Sequence, residues 1–265
     1  MPKEVRKFYS KEKERLERRI HMIERRDRML IKDRSSEIAV VEEVFDKPTL
    51  VTLHYIMRSG DLRRLNGVVS TGKEARIYWG EKEDGSSVAV KIYLTVTAGF
   101  KKRLSYIAGD PRFGSVRHGS KNIVMLWAQK EYRNLLTAYQ AGVPVPKPHA
   151  IKRNILVMDF IGKDGISAPL LGEAEVKESD YRRLVSLIEK LYKDANLVHA
   201  DLSEYNVFKY GKRLFLFDFG SAVDVRHPLS REFLIRDITN VNRFFGKRGL
   251  KVYALEDILK RVMGS

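Results

Sequence analysis

Cysteine is absent from all 265 residues, which excludes disulfides, thiolate zinc sites, iron–sulfur clusters and cysteine nucleophiles. Histidine is sparse, and His21, His54, His118, His149, His199 and His227 show no zinc-ligand spacing. No apolar run approaches the ~18 residues that a membrane span needs, and Met1-Pro2-Lys3-Glu4 lacks the apolar core of a signal peptide. A soluble, cytoplasmic protein without a membrane partner is therefore expected. Acid is the scarce charge. Asp and Glu number 34 against 50 Lys and Arg, and the net charge of +16 favours polyanionic partners such as nucleic acid or nucleotide. At 43% hydrophobic and 10% aromatic residues the chain is not wholly disordered, and its length suits one large domain or two small lobes.

Residues 1–34 carry 13 Lys and Arg against 7 Asp and Glu, with Leu16, Ile20, Ile23 and Leu30 at roughly helical intervals. A solvated amphipathic helix is the plainer reading of that stretch; a basic arm touching RNA is the sharper one. A second helical stretch is expected over 48–65, closed by Gly60, so that 1–65 forms an N-terminal helical extension. From 66 to 161 the texture is β-rich. Arg76–Gly80 and Ser87–Tyr93 read as strands joined by a Glu83-Asp84-Gly85 turn. Residues 97–122 form a long basic segment without periodicity, Met125–Gln140 a helix, and Ile155–Met158 a buried strand. Pro144 and Pro146 force an extended connection between those last two. From 162 to 265 the pattern is mostly helical (178–195, 228–245, 255–263), with short β patterns at 207–210 and 214–217. A β-rich half followed by a helical half predicts two lobes with a cleft.

Gly67-Val68-Val69-Ser70-Thr71-Gly72-Lys73-Glu74 has glycines where a backbone can approach a phosphate and let successive N–H groups cradle it. Glu74 stands where a P-loop has its metal-binding hydroxyl, and a strand pattern follows, so a P-loop NTPase is disfavoured. A Gly-rich turn between strands fits the cover of ATP phosphates in kinases; a plain hairpin explains it about equally well. Lys91 ends Val88-Ala89-Val90-Lys91. If buried it needs a carboxylate partner, for which Glu131 in Trp127-Ala-Gln-Lys-Glu131-Tyr-Arg-Asn134 is the candidate, an ordinary surface glutamate being the even alternative.

The most specific segment is His199-Ala200-Asp201-Leu202-Ser203-Glu204-Tyr205-Asn206, which sets Asp201 and Asn206 in the spacing H-x-D-x-x-x-x-N. An aspartate there orients or accepts the proton of an attacking hydroxyl or water, and an amide oxygen there binds magnesium. Asp218-Phe219-Gly220 follows and places a further carboxylate for the metal. His199 reads as a packing and orienting residue rather than a base. Four such signals in this order leave little room for coincidence.

Ser70-Thr-Gly-Lys-Glu-Ala75, Val88-Ala-Val-Lys-Ile-Tyr93, Ala168-Pro-Leu-Leu171, Leu197-Val-His-Ala-Asp-Leu-Ser-Glu-Tyr-Asn206 and Arg236-Asp-Ile-Thr-Asn-Val-Asn-Arg-Phe-Phe245 together resemble the RIO family of atypical serine/threonine protein kinases. The form Ser-Thr-Gly-Lys-Glu-Ala is similar to its type-one subfamily, and an archaeal source is the expectation. The resemblance implies an α+β, bilobal, trimmed protein-kinase-like fold behind the N-terminal helical extension. It also implies ATP and Mg²⁺ as cofactors, with Mn²⁺ as a substitute. Ser70, Thr71 and Lys73 would then lie over the phosphates, and Lys91 would contact them while paired with Glu131. Met158 would be the gatekeeper, with Asp159 and Ile161 meeting adenine through their backbones. Asp201 would be the catalytic aspartate, Asn206 and Asp218 would hold the metal, and Asp218 could also trap phosphate.

ATP hydrolysis, serine autophosphorylation and a role in small-ribosomal-subunit maturation, with pre-ribosomal RNA or protein as partners, follow from the same resemblance. Ser105, Ser115 and Ser120 are candidate modification sites by location only, and ordinary loop polarity explains each more simply. The chain departs from the common kinase pattern in having Ala200 rather than Arg before the catalytic aspartate, and no A-P-E motif between Ser221 and Ser265. An ATPase-like switch on an assembling particle is accordingly expected over efficient peptide phosphorylation. Two alternatives stand beside it. One is a catalytically weak RNA-binding scaffold with a kinase fold, favoured by the basic arm and loop. The other is a small-molecule kinase of the aminoglycoside type, disfavoured because cationic substrates need an acidic pocket.

Overall fold

The structure is a computed structural model that describes residues 45–94, 104–107, 110, 112 and 120–264. The expected helix within 1–34 and most of the 97–122 segment, Ser115 included, lie outside the described residues. In chain order the elements are α1 (Lys47–Arg58), β1 (Arg64–Thr71), β2 (Ala75–Glu81), β3 (Ser87–Tyr93), α2 (Leu104–Ile107) and α3 (Ser120–Gln140). Then come β4 (Pro148–Lys152), β5 (Ile155–Asp159), β6 (Gly162–Lys163), β7 (Ile166–Ser167) and α4 (Glu178–Lys193). The last are β8 (Leu197–Val198), β9 (Val207–Tyr210), β10 (Arg213–Leu216), β11 (Val223–Asp224), α5 (Ser230–Lys247) and α6 (Leu255–Met263).

Five strands form one antiparallel sheet in the order β1-β2-β3-β5-β4. Its centre is β3, whose apolar run is buried on both faces, as expected of a strand with neighbours on each edge and cover on each side. The Glu83-Asp84-Gly85 turn forms as expected, with Gly85 at φ 79°, a conformation that costs glycine little. One boundary needs correction. The helical stretch ends at Arg58, with Gly60 at φ 83°, and residues 64–71 are strand β1, because pairing with β2 supplies the backbone partners that a polar helix tail would lack. The connection through Pro144 and Pro146 forms as expected and leads into β4, a strand the sequence reading did not include; Pro148 is tolerated as the first residue of this edge strand, where no amide is required of it.

Helix α3 reaches back to Ser120, into the segment read as aperiodic loop. Val124, Trp127, Ala128, Leu135 and Ala138 are buried along it at helical spacing, and that stripe drives its packing. The C-terminal half is built on α4 and α5. Phe233, Leu234, Ile238, Val241 and Phe245 line the buried stripe of α5, while Leu184, Val185 and Ile188 line that of α4. One contiguous core runs from Tyr93 and Leu156 of the sheet, through Trp127 and Leu135, to Ile258 and Val262 of α6. The described residues from Thr52 onward form one compact unit, and the two-stranded ribbons β9–β10 and β8–β11 frame the loops that follow His199 and Phe217. Among the described residues no helix is long and apolar enough to cross a membrane.

Candidate active site

Lys91 sits on the central strand, and its ammonium lies 2.8 Å from both Glu131 oxygens of α3 and 2.9 Å from Asp218 Oδ1. The side chains of Lys91 and Glu131 are 11% and 1% exposed, so neither charge could stand there alone. Tyr93 donates its hydroxyl to Glu131 as well. Burial alone would push the Lys91 ammonium down, but the Asp218 and Glu131 carboxylates outweigh it and hold its pKa above the ordinary value. The lysine is therefore a fixed positive charge at neutral pH.

Those residues line a cavity of about 430 Å³, a volume suited to a small organic ligand. Ser70, Gly72, Lys73, Glu74, Ala75 and Ile77 form its roof, Met158 of β5 its back, and Asp201, Phe217, Asp218 and Ser221 its floor. Seven of the residues named from sequence thus share one cavity: Ser70, Lys73, Lys91, Glu131, Met158, Asp201 and Asp218. Thr71 ends β1 beside them, and Asn206 closes the loop behind Asp201. Asp159 and Ile161 continue from Met158. The Asp159 amide donates to Lys147 O at 2.9 Å and its carboxylate meets His149 Nε2 at 2.7 Å. The Ile161 carbonyl accepts the Ala168 N–H at 2.8 Å.

The loop carrying Asp201 is bound from below by α5. Asp237 accepts the Ala200 N–H at 2.7 Å and the Leu202 N–H at 2.9 Å, one on each oxygen, while Arg236 donates to the Ala200 carbonyl. Asn240 reaches the Leu202 carbonyl at 3.2 Å. Burial raises the Asp237 carboxyl to about 7, against the pull of the two amides and Arg236. Ala200 and Asp218 both adopt left-handed backbones, at φ 63° and 61°, each costing ~1–3 kcal/mol that surrounding contacts must offset. His199 is 1% exposed and donates from Nε2 to the Phe217 carbonyl at 2.9 Å, tying the two loops together. Burial lowers its pKa and favours the neutral ring.

The loop after Asp218 is held from α3. Asn134 donates to the Phe219 and Ala222 carbonyls at 2.8 and 2.9 Å, and Lys130 donates to the Gly220 carbonyl at 3.0 Å and also to that of Ala222. Burial lowers the Lys130 pKa to about 7. Gly220 is required by contact, since a Cβ there would lie 2.6 Å from Trp127 Nε1. Lys130, Asn134, Arg236 and Asp237 lie in segments quoted from the sequence but were given no role there. A signal existed for Asp237, an aspartate inside the apolar stripe between Leu234 and Ile238, since a buried carboxylate must find donors.

For a magnesium ion the donor chemistry fits. The Asn206 amide nitrogen donates to the Asp201 carbonyl at 2.7 Å, and only nitrogen can do so, which turns the amide oxygen outward as a hard ligand. Asp218, 46% exposed at its side chain, offers a carboxylate from the Asp218-Phe219-Gly220 segment.

A five-stranded antiparallel sheet above a helical half, with a buried Lys–Glu pair and two aspartates on the cavity between them, defines a kinase-like fold. Solved structures agree: a Rio2 kinase of Chaetomium thermophilum, crystallised as an ADP/Mg²⁺-phosphoaspartate complex, superposes with TM-score 0.62 at 23% identity over 81% of this chain and 66% of that one. The RIO domain model matches residues 76–258. Serine/threonine-protein kinase RIO1 of Caenorhabditis elegans is 39% identical over 254 residues, covering 94% of this chain and 50% of the relative. The human protein of that name is 38% identical over 242 residues, covering 89% and 42%. RIO-type serine/threonine-protein kinase Rio1 of Haloferax volcanii is 39% identical over 224 residues, covering 84% and 77%. The chain belongs to the RIO family, in its RIO1 branch, and spans about half the length of the animal relatives it matches.

Proposed function

We propose that this chain is an ATP-dependent serine/threonine protein kinase with ATPase activity, using Mg²⁺ or Mn²⁺. The observation that carries the reading is the Lys91 ammonium held at 2.8 Å from Glu131 and 2.9 Å from Asp218, on a cavity it shares with Asp201. ATP is taken between the lobes 66–161 and 162–265. Lys91 meets the triphosphate already ionised, and the backbone around Ser70, Thr71 and Lys73 covers it. Met158 bounds the adenine end, where the backbone of Asp159 and Ile161 reads the base edge. Asn206 and Asp218 would hold the metal, which would supply Lewis-acid neutralisation of the charge that develops on the phosphates. Asp201, fixed from beneath through its two neighbours, orients the attacking hydroxyl or water and accepts its proton. Serine autophosphorylation and a cytoplasmic role in small-ribosomal-subunit maturation rest on the RIO resemblance, with the +16 charge suited to an RNA-rich particle.

Magnesium-dependent ATP turnover of the wild type against Asp201→Ala tests the enzyme. Loss of roughly 10²–10⁴-fold is expected for removal of a proton-transfer group, and equal rates would remove the assignment.

A further inference from the structure

Four residues of α3 lie on one helical face at positions i, i+3, i+4 and i+7: Trp127, Lys130, Glu131 and Asn134. Glu131 takes Lys91; the other three all address the turn after Asp218. Trp127 packs its indole on Gly220, so closely that a Cβ there would overlap it. Lys130 and Asn134 are fully buried and spend their donors on the carbonyl oxygens of Phe219, Gly220 and Ala222.

We propose that Lys130 and Asn134 are positioning residues for Asp218, holding the 219–222 turn so that its carboxylate is presented to the metal and to Lys91. This rests on the kinase reading for its catalytic consequence, though not for its geometry. Asp218 has a left-handed backbone, at φ 61°, which relaxes unless the following peptides are pinned. Four donor–acceptor contacts from two side chains supply that pin. Because Glu131 sits between them on the same helix, one rigid element sets Lys91 from one side and the metal loop from the other. A shift of α3 would disturb both together. Asn134 is itself oriented, since its Oδ1 accepts from Arg112 at 2.8 Å, which leaves the amide nitrogen facing the turn.

The test uses Asn134→Ala, Lys130→Met and the donor-retaining Lys130→Gln, each checked for folding by thermal melting. The readout is the Mg²⁺ midpoint of ATP turnover, together with hydrogen exchange of the amides of 218–222. Support partners of a metal ligand are typically worth ~10–100-fold in metal affinity. Asn134→Ala and Lys130→Met are therefore expected to raise the Mg²⁺ midpoint ~10-fold or more while metal-free nucleotide affinity changes less than about threefold. Lys130→Gln should recover part of the loss. Folded variants with the wild-type midpoint and wild-type exchange would overturn the proposal. Should the wild type turn over no ATP, the kinase reading fails and exchange alone decides: faster exchange confined to 218–222 supports the positioning role, and unchanged exchange overturns it. If Asn134→Ala fails to fold, Lys130→Met carries the comparison, and if Lys130→Met fails, Asn134→Ala carries it.

Discussion

Asp237 grips the residue directly ahead of Asp201: its Oδ2 accepts the Ala200 backbone N–H at 2.7 Å. The bond is buried, it anchors a non-glycine residue at φ 63°, and its twin on Leu202 closes the other side of Asp201. A loop strained in this way keeps its shape only through such contacts.

Asp237→Ala leaves two buried amides without acceptors, at ~1–3 kcal/mol each. Denaturant unfolding should show a loss of that order, and ATP turnover should fall further than stability, because Asp201 loses its orientation. Turnover unchanged in the folded variant would separate the loop from catalysis.

The pH dependence of stability has two limbs. Asp237 has a folded pKa of about 7 against the ordinary aspartate value of 3.8, so the unfolded chain ionises first and stability falls as pH rises from about 4 to 7. Lys130 has a folded pKa of about 7 against 10.5, so the folded chain releases its proton first and stability rises from about pH 7 to 10.5. A melting series across pH should flatten on the acid side in Asp237→Asn and on the alkaline side in Lys130→Met.

Lys91→Met strands the Glu131 carboxylate in a fully buried site. Breaking a buried pair costs ~3–5 kcal/mol, and a charge left unpaired is neutralised where it can be. The expected result is lower stability at neutral pH, partly restored toward acid as Glu131 takes a proton, with ATP turnover lost. Replacing Glu131 by Gln as well should recover stability without recovering turnover.

Gly220→Ala places a methyl 2.6 Å from Trp127 Nε1. Overpacking of this kind costs ~1–3 kcal/mol, and here it pushes the metal loop away from α3. Combining it with Trp127→Leu, which removes the indole, should restore part of the loss caused by the clash; an additive double mutant would refute the contact as the cause.

Much of this site was legible from spacing because Asp201, Asn206 and Asp218 depend on short-range loop geometry, written in contiguous motifs. Strand β3 and helices α4 and α6 were legible because their apolar period is set by burial. The segment 64–71 was misread because its side chains are mostly exposed; it is a strand only by virtue of its partner β2. The start of α3 was missed because its first turn is polar and follows a glycine-rich stretch.

Local order in the chain determined which chemical groups are present and how they sit within each loop: a lysine within a buried strand, an aspartate five residues before an asparagine, a second aspartate before Phe-Gly. Tertiary structure alone decided what surrounds them. Glu131 meets Lys91 across forty residues of sequence, and Asp237 meets Ala200 across thirty-seven. Lys130 reaches Gly220 across ninety. Such pairings carry no local signal, since a buried charge or amide accepts any partner that the packed elements bring within hydrogen-bond reach.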